Sequence, residues 1–280
     1  MENDIAPREG EEGQMIIDLS LPIDDTLKET HAATIDRISH AEGVEHFNWI
    51  MMSKDSEMKK RYEAGERIAL PEDIPEGELL SLEIVHSSVH MGSHVDAPFH
   101  YGSQCEGKPS KKISDLPLEW CYGPGVVLDF TYLKYPNIIK PKDIEDALQK
   151  INYQLKPKDI VLIYTGGDEF LGTPEYVTKY VGMQPEAVEY LLDQGIRMMG
   201  IDTIGLDRPC FEMFKEFLET KDKSKIWPSH FLGRRREFAH MERLGNLGAI
   251  PKPFGFQVSC FPVNVRDAGA GWARVVAILE

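Results

Sequence analysis

The segment from His90 to His100 constrains this chain more than any other. His90, His94, Asp96 and His100 all stand at even positions. On an extended backbone successive side chains alternate between faces, so these four share one face. Gly92 falls on that face with no side chain, which leaves room beside them. The chain has nine histidines and spends a third of them here, with His86 just upstream. Imidazole and carboxylate are the donors that zinc, manganese or iron takes. Any one of these histidines alone reads as a solvated or core residue; the spacing of the group favours a metal centre.

A straight strand would hold His90 and His94 about 13 Å apart, at roughly 3.3 Å per residue. That is too far for two ligands of one ion bound at about 2 Å. The backbone must therefore bend between them, and Gly92 is the residue that permits a tight turn or bulge. A helix would also bring the two rings together, as in H-E-x-x-H sites. Gly92, Ser93 and Pro98 disfavour one, and Met91 stands where that motif needs its glutamate.

With 280 residues the chain is long enough for one large domain or two small ones. A net charge of −15 argues against nucleic acid or an anionic membrane as partner. Cys105, Cys121, Cys210 and Cys260 are scattered and read as reduced thiols of a cytoplasmic protein. The amino terminus lacks the basic flank and apolar core of a signal peptide, and no apolar run reaches membrane-spanning length. Residues 1–14 are polar and acidic and are expected to be frayed; residues 15–280 read as one domain.

Apolar runs predict strands at Met15–Ser20, Leu79–Val89, Val126–Phe130, Asp159–Tyr164, Ile196–Ile201 and Phe256–Val263, with a turn into another after Gly269. Leu79–Val89 is expected to lead into the histidine segment. Helices are predicted at Pro141–Ile151, Gln184–Gln194 and Cys210–Thr220. Strands alternating with helices make an α/β protein. Thr165-Gly166-Gly167-Asp168 forms a loop at a strand's carboxyl edge, where α/β sheets often bind ligands. Residues 24–80 read as irregular and partly helical, an insertion or lid. Later in the chain His230 and His240, with Glu237 and Glu242, are further candidate ligands, and their types alone do not choose among them. The run Arg234-Arg235-Arg236 reads as a solvated or subunit-contact face, with a substrate-carboxylate clamp as the alternative.

The segment Val89-His90-Met91-Gly92-Ser93-His94-Val95-Asp96-Ala97-Pro98-Phe99-His100 resembles the H-x-G-[TS]-H-x-D-x-P-x-H signature of the metal-dependent cyclase-like hydrolases, the family of bacterial kynurenine formamidases and isatin hydrolase. The resemblance extends from Ile16-Ile17-Asp18-Leu19-Ser20 to the carboxyl end. Asp202-Thr203-Ile204-Gly205-Leu206-Asp207 is similar to a family segment in which a serine is usual near Gly205, and Ala273 stands where a proline is usual. The resemblance implies a swivelling β/β/α fold around a central mixed sheet or barrel-like core, assembled as a homodimer or homotetramer. It implies one or two divalent ions per chain, Zn or Mn. His90, His94 and Asp96 would hold the first. Asp96, His230 and Glu242, with Glu242 twelve residues after His230 and opening an E-x-L-x-N-L pattern, would hold the second, His230 and Glu242 coming from a loop and a separate helix. His100, just past the ligands, is the candidate general base and acid, with an ordinary pKa near 6.5. Ser93 would orient a ligand, and Phe47 or Trp49 would supply a substrate aromatic, or else pack for stability.

The expected activity is hydrolysis of a small amide: an N-formyl aromatic amine, a cyclic imide or a lactam. Neither a Gly-x-Ser-x-Gly elbow nor a P-loop occurs. Cyclisation, dehydration or isomerisation of a carbonyl substrate is the alternative, and metal binding without turnover a third reading.

Overall fold

A computed structural model describes residues 14–27 and 32–279 of the chain. The expected fraying of residues 1–14 therefore falls, apart from residue 14, outside the described residues. Along the chain run β1 (Met15–Asp18), β2 (Thr34–Ile38), α1 (His40–Met52), α2 (Ser56–Glu63), β3 (Leu82–His86), β4 (His94–Asp96), α3 (Pro98–Tyr101), β5 (Gln104–Cys105), β6 (Lys108–Pro109) and β7 (Tyr122–Asp129). There follow α4 (Pro141–Lys150), β8 (Ile160–Tyr164), α5 (Pro174–Thr178), α6 (Pro185–Asp193), β9 (Met198–Ile201), α7 (Cys210–Thr220), α8 (Pro228–Leu232), β10 (Ala239–Glu242), β11 (Phe254–Ser259), β12 (Ala270–Trp272) and β13 (Val276–Leu279). No helix among the described residues is long and apolar enough to cross a membrane. The chain divides into two units, Asp24–Ser88 and the remainder.

The larger unit is built on a mixed sheet, nine-stranded among the described residues, in the order β1-β13-β11-β7-β8-β9-β10-β4-β12. The strands β7, β8, β9 and β10 are parallel neighbours, and the outer pairings are antiparallel. Parallel neighbours need crossover connections, and α4 and α6 provide two of them. In α4 the residues Ile144, Ala147 and Leu148 are buried; in α6 the buried stripe is Ala187, Val188, Leu191 and Leu192. Each Val or Leu so buried contributes roughly 1.5–3 kcal/mol. Both helices begin with proline at their first turn, where the missing N–H costs nothing.

The period-2 alternation of the strands decides where the chemistry sits. On one face Val126 pairs beside Val161, Val161 beside Met199, Met199 beside His240, and His240 beside Asp96. That row begins apolar, in the core under the helices, and turns polar at the last two strands. On the opposite face Val95 and Met241 join the second core with Leu162, Val258 and Ala277.

The smaller unit pairs β2 with β3, antiparallel, from Thr34 opposite His86 to Ile38 opposite Leu82. Helix α1 starts in a capping box between Ser39 and Glu42. The buried Asn48 amide binds the backbone of Val44, Ile68 and Ala69 and so fixes the loop after α2. This interval is more regular than its composition predicts. The expected strand at Leu79–Val89 is shortened to β3 and pairs with β2, outside the large sheet. Its alternation reads the same whichever partner it takes, so sequence could not assign it.

Candidate metal centre

The bend demanded between His90 and His94 is present. Gly92 adopts φ +66°, and a Cβ there would come within 3.2 Å of the Pro22 carbonyl oxygen. Strand β4 starts two residues later and carries His94 and Asp96 on one face. Its neighbour β10 places His240 opposite Asp96 and Glu242 opposite His94. A register slip of one residue would replace these with Met241 and Ala239. His230 arrives from α8 and His100 from α3. The sequence expectation for the late pair is corrected in detail: His230 lies on a short helix and Glu242 on a strand, because Ala239–Glu242 is drawn into the sheet beside β9.

Asp96 is wholly buried, and neither of its carboxylate oxygens has a hydrogen-bond partner. What each oxygen faces is histidine nitrogen. His90 Nδ1 lies 2.9 Å and His94 Nε2 3.4 Å from Oδ1, and the two nitrogens are 3.3 Å apart. Around Oδ2 stand His240 Nε2 at 3.6 Å, His100 Nε2 at 3.7 Å and His230 Nε2 at 3.9 Å. Four donors around one ion at about 2.0–2.2 Å are separated by about 3.3–3.6 Å. These spacings fit donors gathered around one ion, and a buried carboxylate among them is a group that an ion would satisfy.

The nitrogens that face away are held. His94 Nδ1 donates to the Gly92 carbonyl at 2.9 Å, and His230 Nδ1 donates to Asp207 Oδ2 at 2.7 Å. A carbonyl or carboxylate can only accept, so both histidines hold a proton on Nδ1 and turn Nε2 into the cluster, where it can serve an ion that displaces its proton. Leu206 N–H donates to Glu242 Oε1 at 2.9 Å, a backbone contact beside Gly205. The Ser93 hydroxyl accepts from Leu21 N and donates to the Arg243 carbonyl; it clasps the backbone next to His94 and Glu242 and touches no ligand ring.

Charge in the cluster balances through protons. Burial disfavours charge on Asp96, but His100, His94 and His90 around it hold its carboxyl well below the usual range. Burial acts likewise on Glu242 and is overcome by hydrogen bonds from His230 and His240. Burial would also lower His230, yet its bonds to Asp207 and Glu242 raise it well above the ordinary value. His100 is different: burial, with His90 and His230 nearby, pushes it down to about 4 against the pull of Asp96. It is a free base at neutral pH, and it titrates well below the value expected from sequence.

Two groupings result, His90 with His94 and Asp96, and Asp96 with His230, His240 and Glu242. His240 therefore does not compete with His230; both converge on Asp96 and Glu242. The strand parity shared by His240 and Glu242 was the available signal. Glu237 is elsewhere, ion-paired to Lys111 at 2.5 Å. Arg234 stacks over Phe231 at 3.4 Å and donates to the Tyr101 carbonyl, while Arg236 pairs with Asp193 at 2.9 Å. The amides of Thr165, Gly166 and Gly167 point inward to Asp202, so that loop's donors are already taken. Phe47 and Trp49 lie on α1 of the smaller unit, Trp49 half exposed.

Residues 17–208 match the family described as putative cyclase. A kynurenine formamidase of Geobacillus thermodenitrificans (strain NG80-2) is 33% identical over 121 residues, 43% of this chain and 50% of that protein. The chain thus matches about half the length of that relative. Isatin hydrolase A from Labrenzia aggregata, solved with benzyl benzoate bound, superposes with TM-score 0.69 at 19% identity over 95% of this chain and 94% of that one. Isatin hydrolase A from Ralstonia solanacearum gives TM-score 0.69 at 17% identity, over 95% and 92%. At such identity the superpositions establish the fold.

Proposed function

Because the chain belongs to the putative cyclase family, we propose that it is a metal-dependent hydrolase of small amides, acting on an N-formyl aromatic amine, a cyclic imide or a lactam. The observation that carries this reading is the buried Asp96 carboxylate, unpartnered and ringed by histidine nitrogens at ligand spacing. The 33% identity to a kynurenine formamidase supports the substrate class.

His90, His94 and Asp96 would hold one divalent ion, and Asp96, His230 and Glu242 would take part in holding a second. A divalent ion held there supplies Lewis-acid polarisation of the amide carbonyl and eases deprotonation of water. The protein's part is positional and protonic. The mouth of the site is formed by the partly exposed His90 and His100, while His94 and Asp96 lie beneath. His100 Nε2, unprotonated at neutral pH, accepts the proton of a water adding to the carbonyl carbon. It returns that proton to the amide nitrogen as the C–N bond breaks, giving a carboxylic acid and the freed nitrogen group, which stay in one ring-opened molecule when the substrate is cyclic. Zinc or manganese suits the nitrogen and oxygen donors, and a cytoplasmic homodimer or homotetramer with a small-molecule substrate completes the proposal.

Metal analysis of the purified protein, coupled to a screen of formamides, imides and lactams read by mass, tests it. Bound metal with a gain of one water on an amide is expected. Isomerised or cyclised product without net water would favour the cyclase alternative. Protein that binds no divalent ion and is indifferent to chelator would refute the proposal.

A further inference from the structure

The two groupings differ in donor number and in access to solvent. His90, His94 and Asp96 offer three donors, with His90 at the mouth about one-third exposed. Asp96, His230, His240 and Glu242 offer four, all buried. The contacts of His240 show what its ring is prepared for. The Tyr101 hydroxyl donates to the Asp96 backbone carbonyl at 3.2 Å and lies 2.8 Å from His240 Nδ1. The hydroxyl has one proton, and the carbonyl can only accept. With that proton committed, the hydroxyl oxygen accepts from His240 Nδ1–H, and Nε2 of His240 is the nitrogen turned into the cluster. It faces Glu242 Oε1 at 2.8 Å, a contact that a proton bridges without an ion and that a bound cation replaces when it takes the Nε2 lone pair. The donor edges are 2.8 Å (His240–Glu242), 3.3 Å (His230–Glu242), 3.6 Å (His240–Asp96) and 3.9 Å (His230–Asp96). They straddle the tetrahedral edge of about 3.3–3.6 Å.

We propose that His240 is a fourth protein ligand of the inner ion, set in its donating tautomer by Tyr101, and that this ion is a closed, tightly held tetrahedral centre distinct in kind from the outer one. The proposal rests on the metal-hydrolase reading and adds a division of labour to it. Four protein donors fill a tetrahedral ion, as in structural zinc sites, whereas three leave a position for reactants. Two imidazoles and two carboxylates cancel the charge of a divalent ion, and burial slows its escape. A buried N₂O₂ tetrahedron also selects zinc over manganese, which prefers six oxygen-rich ligands. The inner ion would then fix Asp96 and Glu242, while substrate meets only the outer one.

The test is stepwise cobalt loading of metal-free protein, followed by its visible spectrum and by competition with a chromophoric chelator. Tetrahedral cobalt absorbs far more strongly than five- or six-coordinate cobalt, so geometry is read without turnover. Wild type is expected to fill the inner site first, with an intense tetrahedral band, and to take a second equivalent more weakly. His90→Ala should abolish only the second equivalent and keep the band. His240→Asn keeps an amide donor near the Nδ1 position toward Tyr101 and removes Nε2. It should weaken the first equivalent by at least 10-fold and collapse the band, and Tyr101→Phe should weaken it about 10- to 100-fold. Should His240→Asn fail to fold, the wild-type and His90→Ala spectra still decide. A weak first-equivalent band, or a band lost in His90→Ala, overturns the proposal, as does unchanged affinity in a folded His240→Asn. A single ion lost with His90→Ala would overturn it while leaving metal-dependent hydrolysis standing; no ion at all would sink both.

Discussion

Asp207 touches no proposed ligand atom that faces the ions, yet the inner site should depend on it. Its Oδ1 accepts from Ser229 N at 2.7 Å, and its Oδ2 accepts both His230 N at 3.1 Å and His230 Nδ1 at 2.7 Å. The side chain is 2% exposed, so water cannot stand in. In Asp207→Asn one of the two oxygen positions becomes an amide nitrogen. With the oxygen kept toward Ser229, the new N–H₂ meets two donors of His230. The ring can respond by giving up its Nδ1 proton and carrying a proton on Nε2; the backbone N–H cannot respond at all. That orphaned N–H, with the lost charge-assisted bond, costs about 2–5 kcal/mol of stability in the metal-free protein. The tautomer change removes the lone pair that faces Asp96 and Glu242, and loss of such support weakens metal binding about 10- to 100-fold, or about 1.4–2.7 kcal/mol. Urea unfolding of metal-free protein reads the first quantity and chelator competition the second. Asp207→Asn that retains wild-type affinity for both ions would show that Asp207 does not set the ring, and the tautomer argument would fail with it.

Asp96→Ala should strip both ions and abolish turnover, since one carboxylate serves both groupings; plasma emission on the purified variant checks it, and retention of full metal would end the two-ion reading. His100→Ala should keep metal content and fold while turnover falls by roughly 10²–10⁴, the usual worth of a general acid–base; parallel loss of metal would make His100 a ligand instead. Glu242→Gln should weaken the inner ion and Glu237→Gln should not, because Glu237 is engaged with Lys111; the reverse result in metal titrations would show the wrong glutamate was chosen. Burial, opposed by its hydrogen bonds to Thr165 and Gly166, pushes Asp202 up to about 7. Its unfolded pKa is near 3.9. The fold therefore favours the neutral carboxyl, and its contribution is fully present below about pH 4 and lost as pH rises through 7, a change of about 4 kcal/mol. The stability difference between wild type and Asp202→Asn should fall by that amount over this interval, and a flat difference would mean the surrounding donors keep Asp202 ionised throughout.

The sequence by itself determined what short-range stereochemistry controls. The separation of His90 from His94 demanded a bend, Gly92 alone among the intervening residues takes a left-handed backbone readily, and the bend is there at φ +66°. The amphipathic stripes of α4 and α6, and Cys210–Thr220 as a helix, follow from the 3.6-residue period within each segment. Even the donor types of the candidate centre were legible, because imidazole and carboxylate are the side chains a borderline divalent ion takes. What only the tertiary structure decided is which distant residues join. His230 and His240 looked like rivals because residue type does not encode pairing. The register of β10 against β4 sets His240 beside Asp96 and Glu242 beside His94 across more than 140 residues of chain, and it leaves Glu237 outside. For the same reason Leu82–His86 could be read as a strand but not assigned its partner β2. Alternation fixes a strand's two faces locally; the neighbour it hydrogen-bonds, and hence what those faces meet, is settled by burial of the whole sheet's apolar side against the helices.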